Sequence, residues 1–371
     1  MSLEDIIGLK MTDEKLDEFG LERIDRVARY LPEQSRYMRR GITYAHRGFE
    51  EIAELLMNGK DITIVSGLNP SGPLHFGHLV IFNELLFFQK LGAEIFIPIT
   101  NDETYVVGKS DTLSKARKNA YEQVIPSIIA LGFDPKKTHI YVDSDYKDLY
   151  NFAMYISKKI NYSTSRAVFG FKDEDNMGTM FYRACVQTAQ ILMPQLPEFG
   201  GPKHTLIPVG IDQDPYILLS RDFAKKFKMK PPAGLYMQFM KGLNGGSKMS
   251  KSIPGSAIYV TDSEKEIRNK IMNAFTGGGD TLKEHKEKGG NPEVCPIYQM
   301  YEYHFVEDDN ELDEICKTCR KGTRSCGDCK KELVNKVIPF LKEHQEKRKK
   351  VTPKMIGKYL LDKELNSFLK Y

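Results

Sequence analysis

The sequence predicts an α/β protein: a doubly wound parallel sheet followed by an all-α C-terminal domain. Three observations carry that expectation. Short β-rich runs alternate with helical runs between residues 61 and 262, the texture of strands joined by helical crossovers. A glycine-rich loop follows the first of those runs and enters a helix directly, at the place where such sheets bind ligands. From Ser263 onward no strand pattern remains.

The elements follow in order. Residues 1–60 read as helices, beginning with the acidic "MSLEDIIGLKMTDEKLDEFG", which has neither the basic start nor the apolar core of a signal peptide. "GFEEIAELLMNG" places Phe49, Ile52, Leu55 and Leu56 on one helical face and stops at Gly59. "DITIVSGL" is a short strand, and "HLVIFNELLFFQKLG" a buried helix ending at Gly92. "AEIFIPIT" reads as a strand, "SKARKNAYEQVIPSIIALG" as a helix and "THIYVDS" as a strand. After a helical middle section, "HTLIPVGIDQDPYILLSRDFAKKF" repeats strand, turn and helix. "SEKEIRNKIMNAF" opens with a Ser-x-x-Glu capping box. The chain therefore divides into an N-terminal helical segment, 1–60, a Rossmann-like domain with a helical insertion, 61–262, and a helical domain, 263–371.

Composition excludes some classes. No apolar run reaches the roughly 18 residues that a membrane helix needs. The net charge of +4 is too mild to prove a nucleic-acid partner. The basic run "LKEHQEKRKKVTPK" reads first as a solvated helix end.

Two loops carry chemistry. "SGLNPSGPLHFGH" holds His75 and His78 three residues apart, with Gly67, Gly72 and Gly77 allowing close backbone approach. Backbone N–H groups at a helix start favour phosphate, and two imidazoles there can donate to phosphoryl oxygens. Metal binding would need further ligands, which no nearby Cys or His-Glu-x-x-His pattern supplies. Two histidines satisfied at a helix cap remain an alternative. The second loop, "GGSKMSKSIPG", sets Lys248 and Lys251 in a glycine-bounded segment that can close over a polyphosphate and neutralise charge as a bond breaks. A basic surface loop is the bland alternative.

Together, His-x-Gly-His and Lys-Met-Ser-Lys-Ser, about 170 residues apart, resemble the two signatures of class I aminoacyl-tRNA synthetases. The first has Phe76 where isoleucine is commonest. "MRRGITYAHRGFEEI", "TNDETY", "GIDQDPYILLSRDFA", "NAFTGGGDTLKEHKEKGGNPEVCPIYQMYEYHF" and "LKEHQEKRKKV" narrow the resemblance to the tryptophanyl-tRNA synthetases of archaeal and eukaryotic type, over roughly residues 38–352. The resemblance implies a cytoplasmic homodimer that uses ATP and Mg2+ to join L-tryptophan to tRNA(Trp) through a tryptophanyl-adenylate, with the C-terminal helices near the tRNA. It implies that His75, His78, Lys248 and Lys251 act on the phosphates, and that Gly67, Gly77, Gly210, Asp212, Met249, Ser250 and Ser252 hold ATP. Glu103, Gln187 and Gln213 are implied to bind the α-amino group.

One departure stands out. Where eukaryotic members carry a tyrosine and a glutamine that bind the indole N–H, this chain has Val65 and Pro98, and neither side chain can hydrogen-bond an indole.

The cysteines form a third pattern. Cys316, Cys319, Cys326 and Cys329 make Cys-x2-Cys-x6-Cys-x2-Cys, a thiol set suited to Zn2+ or iron–sulfur. Cys295, Cys319, Cys326 and Cys329 resemble the pattern of bacterial tryptophanyl enzymes that hold a [4Fe–4S] cluster, whose long gap is one residue shorter, and this leaves Cys316 spare. Free thiols on two helix ends are the alternative. For the whole chain, tyrosyl specificity, a tRNA-independent adenylyltransferase and a non-catalytic RNA-binding paralogue stay open.

Overall fold

The computed structural model describes residues 12–279 and 281–370. Part of the acidic start expected to be helical, residues 1–11, lies outside the described residues. Seven strands form one sheet: β1 (Glu22–Arg23), β2 (Thr43–Arg47), β3 (Thr63–Val65), β4 (Glu94–Ile99), β5 (Thr138–Val142), β6 (Thr205–Val209) and β7 (Ala233–Met237). Their order is β1-β2-β7-β6-β3-β4-β5. The five strands from β7 to β5 run parallel, and β1 and β2 add antiparallel to the β7 edge.

Helices cover both faces, which explains why the parallel strands are apolar throughout. Ile64, Ile95, Ile97, Ile140, Leu206 and Leu235 face one core. Their neighbours Val65, Phe96, Tyr141, Ile207 and Tyr236 face the other, as the two-residue period of a strand requires. The helices that matter for the site are α1 (Glu50–Met57), α2 (Phe76–Lys90), α3 (Asn101–Val106), α4 (Gln187–Leu192) and α5 (Asp214–Lys226). Beyond β7 come α6 (Glu264–Met272), α7 (Leu282–Lys288), α8 (Asp309–Arg320) and α9 (Cys326–Lys349). The capping box at α6 is present: the Glu266 N–H donates to Ser263 Oγ, and Glu266 Oε2 accepts the Ser263 N–H at 2.7 Å.

Residues 1–60 correct the sequence reading. They are not purely helical, because β1 and β2 lie within them. "ITYAHR" is too short to show a period, and its strand exists because β7 offers an open edge, with Leu235 opposite His46. Nor is the helical C-terminal region isolated from the sheet. On α9, His344 Nε2 lies 3.0 Å from the Ser127 carbonyl, and Gln345 Nε2 donates to the Val260 and Asp262 carbonyls. Further on, the Ile140 N–H of β5 donates to the Tyr359 carbonyl at 2.7 Å.

A buried ion pair ties the N-terminal strands to the rest. Arg47 on β2 donates from two nitrogens to the two oxygens of Asp214 at 2.9 Å each, and also to the Phe19 and Gly20 carbonyls. The Asp214 carboxylate also accepts the Tyr236 hydroxyl. Stripping one partner from such a pair strands the other charge, so Arg47→Ala is expected to cost roughly 3 kcal/mol of unfolding free energy. Urea unfolding followed by circular dichroism measures this, and a loss under about 1 kcal/mol would reduce the pair to a surface contact.

Candidate active site

The strand order reverses at β3, which has β4 on one side and β6 on the other, and the crevice at their carboxyl ends is where an open parallel sheet receives a ligand. The loop leaving β3 turns under β4 so closely that a Cβ at Gly67 would lie 2.1 Å from the Pro98 carbonyl oxygen, which only glycine avoids. The loop then enters α2 with His75 as its N-cap residue. The loop bearing the two lysines lies far along the chain, yet the two are bonded together. Ile258 accepts the Phe76 N–H at 3.3 Å, and the Val260 N–H donates to Leu74 at 2.9 Å. Met249 anchors the lysine loop by burying its side chain in the core, while its N–H donates to Met240.

His75, His78, Lys248 and Lys251 all line one cavity of about 570 Å3, together with Gly67, Gly77, Gly210, Asp212, Met249, Ser250 and Ser252. Every residue expected at ATP thus borders a single space. The imidazoles of His75 and His78 stack with centroids 3.7 Å apart. The His75 N–H donates to His78 Nδ1 at 3.1 Å, so a neutral His78 carries its proton on Nε2 as a donor. Burial pushes the His75 imidazole down to about 3, with Lys251 adding to the effect. Burial, then His75 and Lys251, hold His78 well below its ordinary value. Both rings are therefore neutral hydrogen-bond donors near pH 7, not cations.

Lys251 supplies the charge. Its Nζ donates to the Gly72 carbonyl at 3.0 Å and lies 3.5 Å from Ser71 Oγ. Burial, then Lys109, lowers its amine to about 8. Lys248 Nζ stands 5.7 Å from the centre of the Phe239 ring. Ser250 and Ser252 hydroxyls pair at 2.8 Å, and Ser256 Oγ donates to the Ser250 carbonyl, which shapes the turn. Lys109 also borders the cavity and has no sequence signature, since "VVGKS" belongs to no recognised loop.

A second, smaller cavity of about 200 Å3 shares Ser66, Gly67, Leu68, Asn69, Val209 and Gln213 with the first. Glu103, Gln187 and Gln213 line it. Thr100 Oγ1 donates to Glu103 Oε2 at 3.1 Å. Gln187 Nε2 donates to Gln213 Oε1 at 3.0 Å, and Gln213 Nε2 to Asp212 Oδ2 at 3.2 Å. Glu103, Gln187 and Gln213 thus bring side-chain oxygens from three elements to one cavity. Val65 and Pro98 border the same cavity, so the departure read in the sequence falls on the wall where it was expected.

The cysteines lie elsewhere. Cys295, Cys319, Cys326 and Cys329 line one small cavity with Gly277, Gly278 and Arg324, and Cys316 is not part of its wall. A Cβ on Gly278 would lie 2.4 Å from Cys326 Sγ, and one on Gly290 2.8 Å from Cys319 Sγ. Burial, then the neighbouring cysteines, pushes the Cys319 thiol up to about 11. No three of these sulfurs come within 4.8 Å of one another; among the described residues the one such set of potential ligands is Glu22, His46 and Glu50.

A family model described as tRNA synthetases class I (W and Y) matches residues 57–342. The tryptophan–tRNA ligase of Methanocaldococcus jannaschii is 43% identical over 363 residues, covering 95% of this chain and 96% of the relative. That of Pyrobaculum aerophilum is 40% identical over 95% of this chain and 94% of its own. Among solved structures, tryptophanyl-tRNA synthetase from Aeropyrum pernix K1 matches with a TM-score of 0.87 at 35% identity, covering 95% of this chain and 97% of that one.

The depressed Lys251 amine sets a pH dependence. The amine is charged below about 8 and neutral above it, so ATP affinity of the free protein should fall as pH rises through that value, by at most about tenfold per pH unit. Arginine stays charged, so Lys251→Arg should flatten the fall. Calorimetric titration between pH 7 and 9.5 reads both, and an identical slope in the two proteins would remove Lys251 from the site.

Proposed function

The chain belongs to the class I tRNA synthetases of the tryptophan and tyrosine branch, and we propose that its two adjoining cavities hold ATP and tryptophan side by side. It is an aminoacyl-tRNA ligase that joins L-tryptophan to tRNA(Trp) through a tryptophanyl-adenylate. The tyrosyl alternative is not favoured, because the curated and solved relatives described above are tryptophan enzymes.

In the first step the tryptophan carboxylate attacks the α-phosphorus of ATP, and the bond to the bridging oxygen breaks to release pyrophosphate. The adenylate then passes its acyl group to the terminal adenosine of tRNA, and AMP leaves. This chemistry needs positioning and charge stabilisation rather than a protein nucleophile. Glu103, Gln187 and Gln213 would hold the α-ammonium. His78 would donate from Nε2 to a phosphoryl oxygen beside His75, and Lys248 and Lys251 would take the charge of the departing pyrophosphate. Mg2+ shares that charge when bound. The observation that carries this reading is the shared wall: the cavity lined by Glu103, Gln187 and Gln213 adjoins one lined by Lys109, Lys248 and Lys251 beside two neutral histidines.

Residues 61–262 would then be the catalytic domain and 263–371 the anticodon-binding domain, in a cytoplasmic homodimer. Near the end of α9 exposed Lys342, Lys347 and Lys349 pair with Glu264, Glu343 and Glu346, and Lys350 follows the helix, so tRNA phosphates would reach these lysines by displacing carboxylates. Tryptophan-dependent pyrophosphate exchange tests the reaction, and exchange driven by tyrosine alone would overturn it. Lys251→Ala should slow exchange by about 100-fold while leaving tryptophan affinity within about threefold. Equal losses in both would make Lys251 a general binding residue.

For the four clustered cysteines we propose an iron–sulfur cluster. Tetrahedral zinc with bonds near 2.3 Å needs sulfurs about 3.8 Å apart, closer than this set stands. The thiols converge from three segments, and Gly278 and Gly290 leave room for them where any side chain would intrude. Anaerobically purified protein should carry about four irons per chain. Cys319→Ser should lose the iron and Cys316→Ser should keep it, whereas one zinc and no iron would contradict the assignment.

A further inference from the structure

With Val65 and Pro98 on its wall, the smaller cavity lacks the two side chains that the resemblance led us to expect at the indole N–H. The ring nitrogen of tryptophan must lose water to enter, and a buried donor left unpaired costs affinity. Some acceptor in the cavity must therefore face it.

Most polar groups in the wall are already committed. Ser66 Oγ donates to the Pro208 carbonyl at 3.0 Å. Thr100 Oγ1 lies 3.2 Å from Asn69 Oδ1 and 3.1 Å from Glu103 Oε2, and Asn69 Oδ1 also accepts from Thr104. Gln187 and Gln213 pair with each other at the ammonium end. Gln190, only 3% exposed, remains beside the Tyr182 and Tyr216 hydroxyls, and it is the one of the three whose donor side is held by another group. It lies three residues beyond Gln187 on α4, so it shares that helix's cavity-facing side about 4.5 Å further along the axis.

The amide of Gln190 has a fixed sense. Its Nε2 donates to Asp143 Oδ2 at 2.6 Å, at the end of β5, which keeps the carbonyl oxygen for the cavity it lines. Burial, then Asp102, raises Asp143 well above the usual carboxylate range. Ile191, Ile207 and Ile217 line the same cavity beside Val65 and Pro98.

We propose that Gln190 Oε1 accepts the indole N–H and is the residue by which this chain recognises tryptophan. The inference rests on the smaller cavity being the tryptophan site. A tryptophan analogue in which sulfur replaces the ring N–H, β-(1-benzothiophen-3-yl)alanine, keeps the shape and removes the donor. In pyrophosphate exchange the wild-type protein should prefer tryptophan to this analogue by about 30-fold in kcat/KM, the worth of one buried hydrogen bond. Gln190→Met keeps the volume but offers no amide oxygen. It should bring the two substrates within about threefold, by raising the KM of tryptophan, while the analogue's kcat/KM stays near its wild-type value. Retained use of the analogue also reports that the variant folds. Tyr182→Phe removes the buried phenol hydroxyl in the wall and should leave the preference intact. A Gln190→Met protein that keeps the 30-fold preference, or a Tyr182→Phe protein that loses it, would overturn the proposal. If the wild-type protein exchanged neither substrate, it would be the tryptophan reading itself that failed.

Discussion

Lys251 carries a positive charge into a half-buried position where, among the described residues, it makes no ion pair. A backbone carbonyl and a hydroxyl are its neighbours, and they do not balance an ammonium. The fall of its pKa to about 8 expresses that deficit. The surrounding groups deepen it, since His75 and His78 are held neutral by the same burial and Lys109 adds like charge. A polyphosphate relieves the whole set at once. A site under this tension suits an anion.

Bringing that lysine to the histidines depends on backbone rather than side chains. The segment after the lysine loop lies along the segment before α2 through the Phe76–Ile258 and Val260–Leu74 hydrogen bonds. Gln345 on α9 then caps the Val260 and Asp262 carbonyls, so the C-terminal helices brace the same junction. The fold thus fixes the base of each loop, and the Lys251 ammonium reaches across to the Gly72 carbonyl of the other. The smaller cavity is organised differently, by side-chain pairs such as Gln187 with Gln213 and Gln190 with Asp143 that preset which atom faces inward.

Much of this was legible in the sequence because it is local. The runs at β3, β4, β5 and β6 announce buried strands by composition, and the two basic loops announce themselves by residue type and spacing. What was not legible depends on contact. "AGLYM" at β7 and "TYAHR" at β2 are short and aperiodic, and each becomes a strand only through the neighbour that pairs with it. Lys109 acts on Lys251 across the cavity from a loop with no pattern. Gln190 could not be singled out from "QTAQIL", because its meaning lies in Asp143, 47 residues away, which orients its amide. The spacing left open whether Cys295 or Cys316 joins Cys319, Cys326 and Cys329, and Cys295 is the one that shares their cavity.

The central claim is that one ligand spans both cavities, with its phosphate end between the histidines and Lys251 and its amino end between Glu103, Gln187 and Gln213. A crystal structure with a non-hydrolysable tryptophanyl-adenylate analogue tests it most directly. The account predicts phosphoryl oxygens within hydrogen-bond distance of His78 Nε2, the ammonium on Glu103 and the ring among Val65, Pro98 and Gln190. An analogue bound with its ring in the larger cavity, or with its phosphate away from the two basic loops, would contradict it.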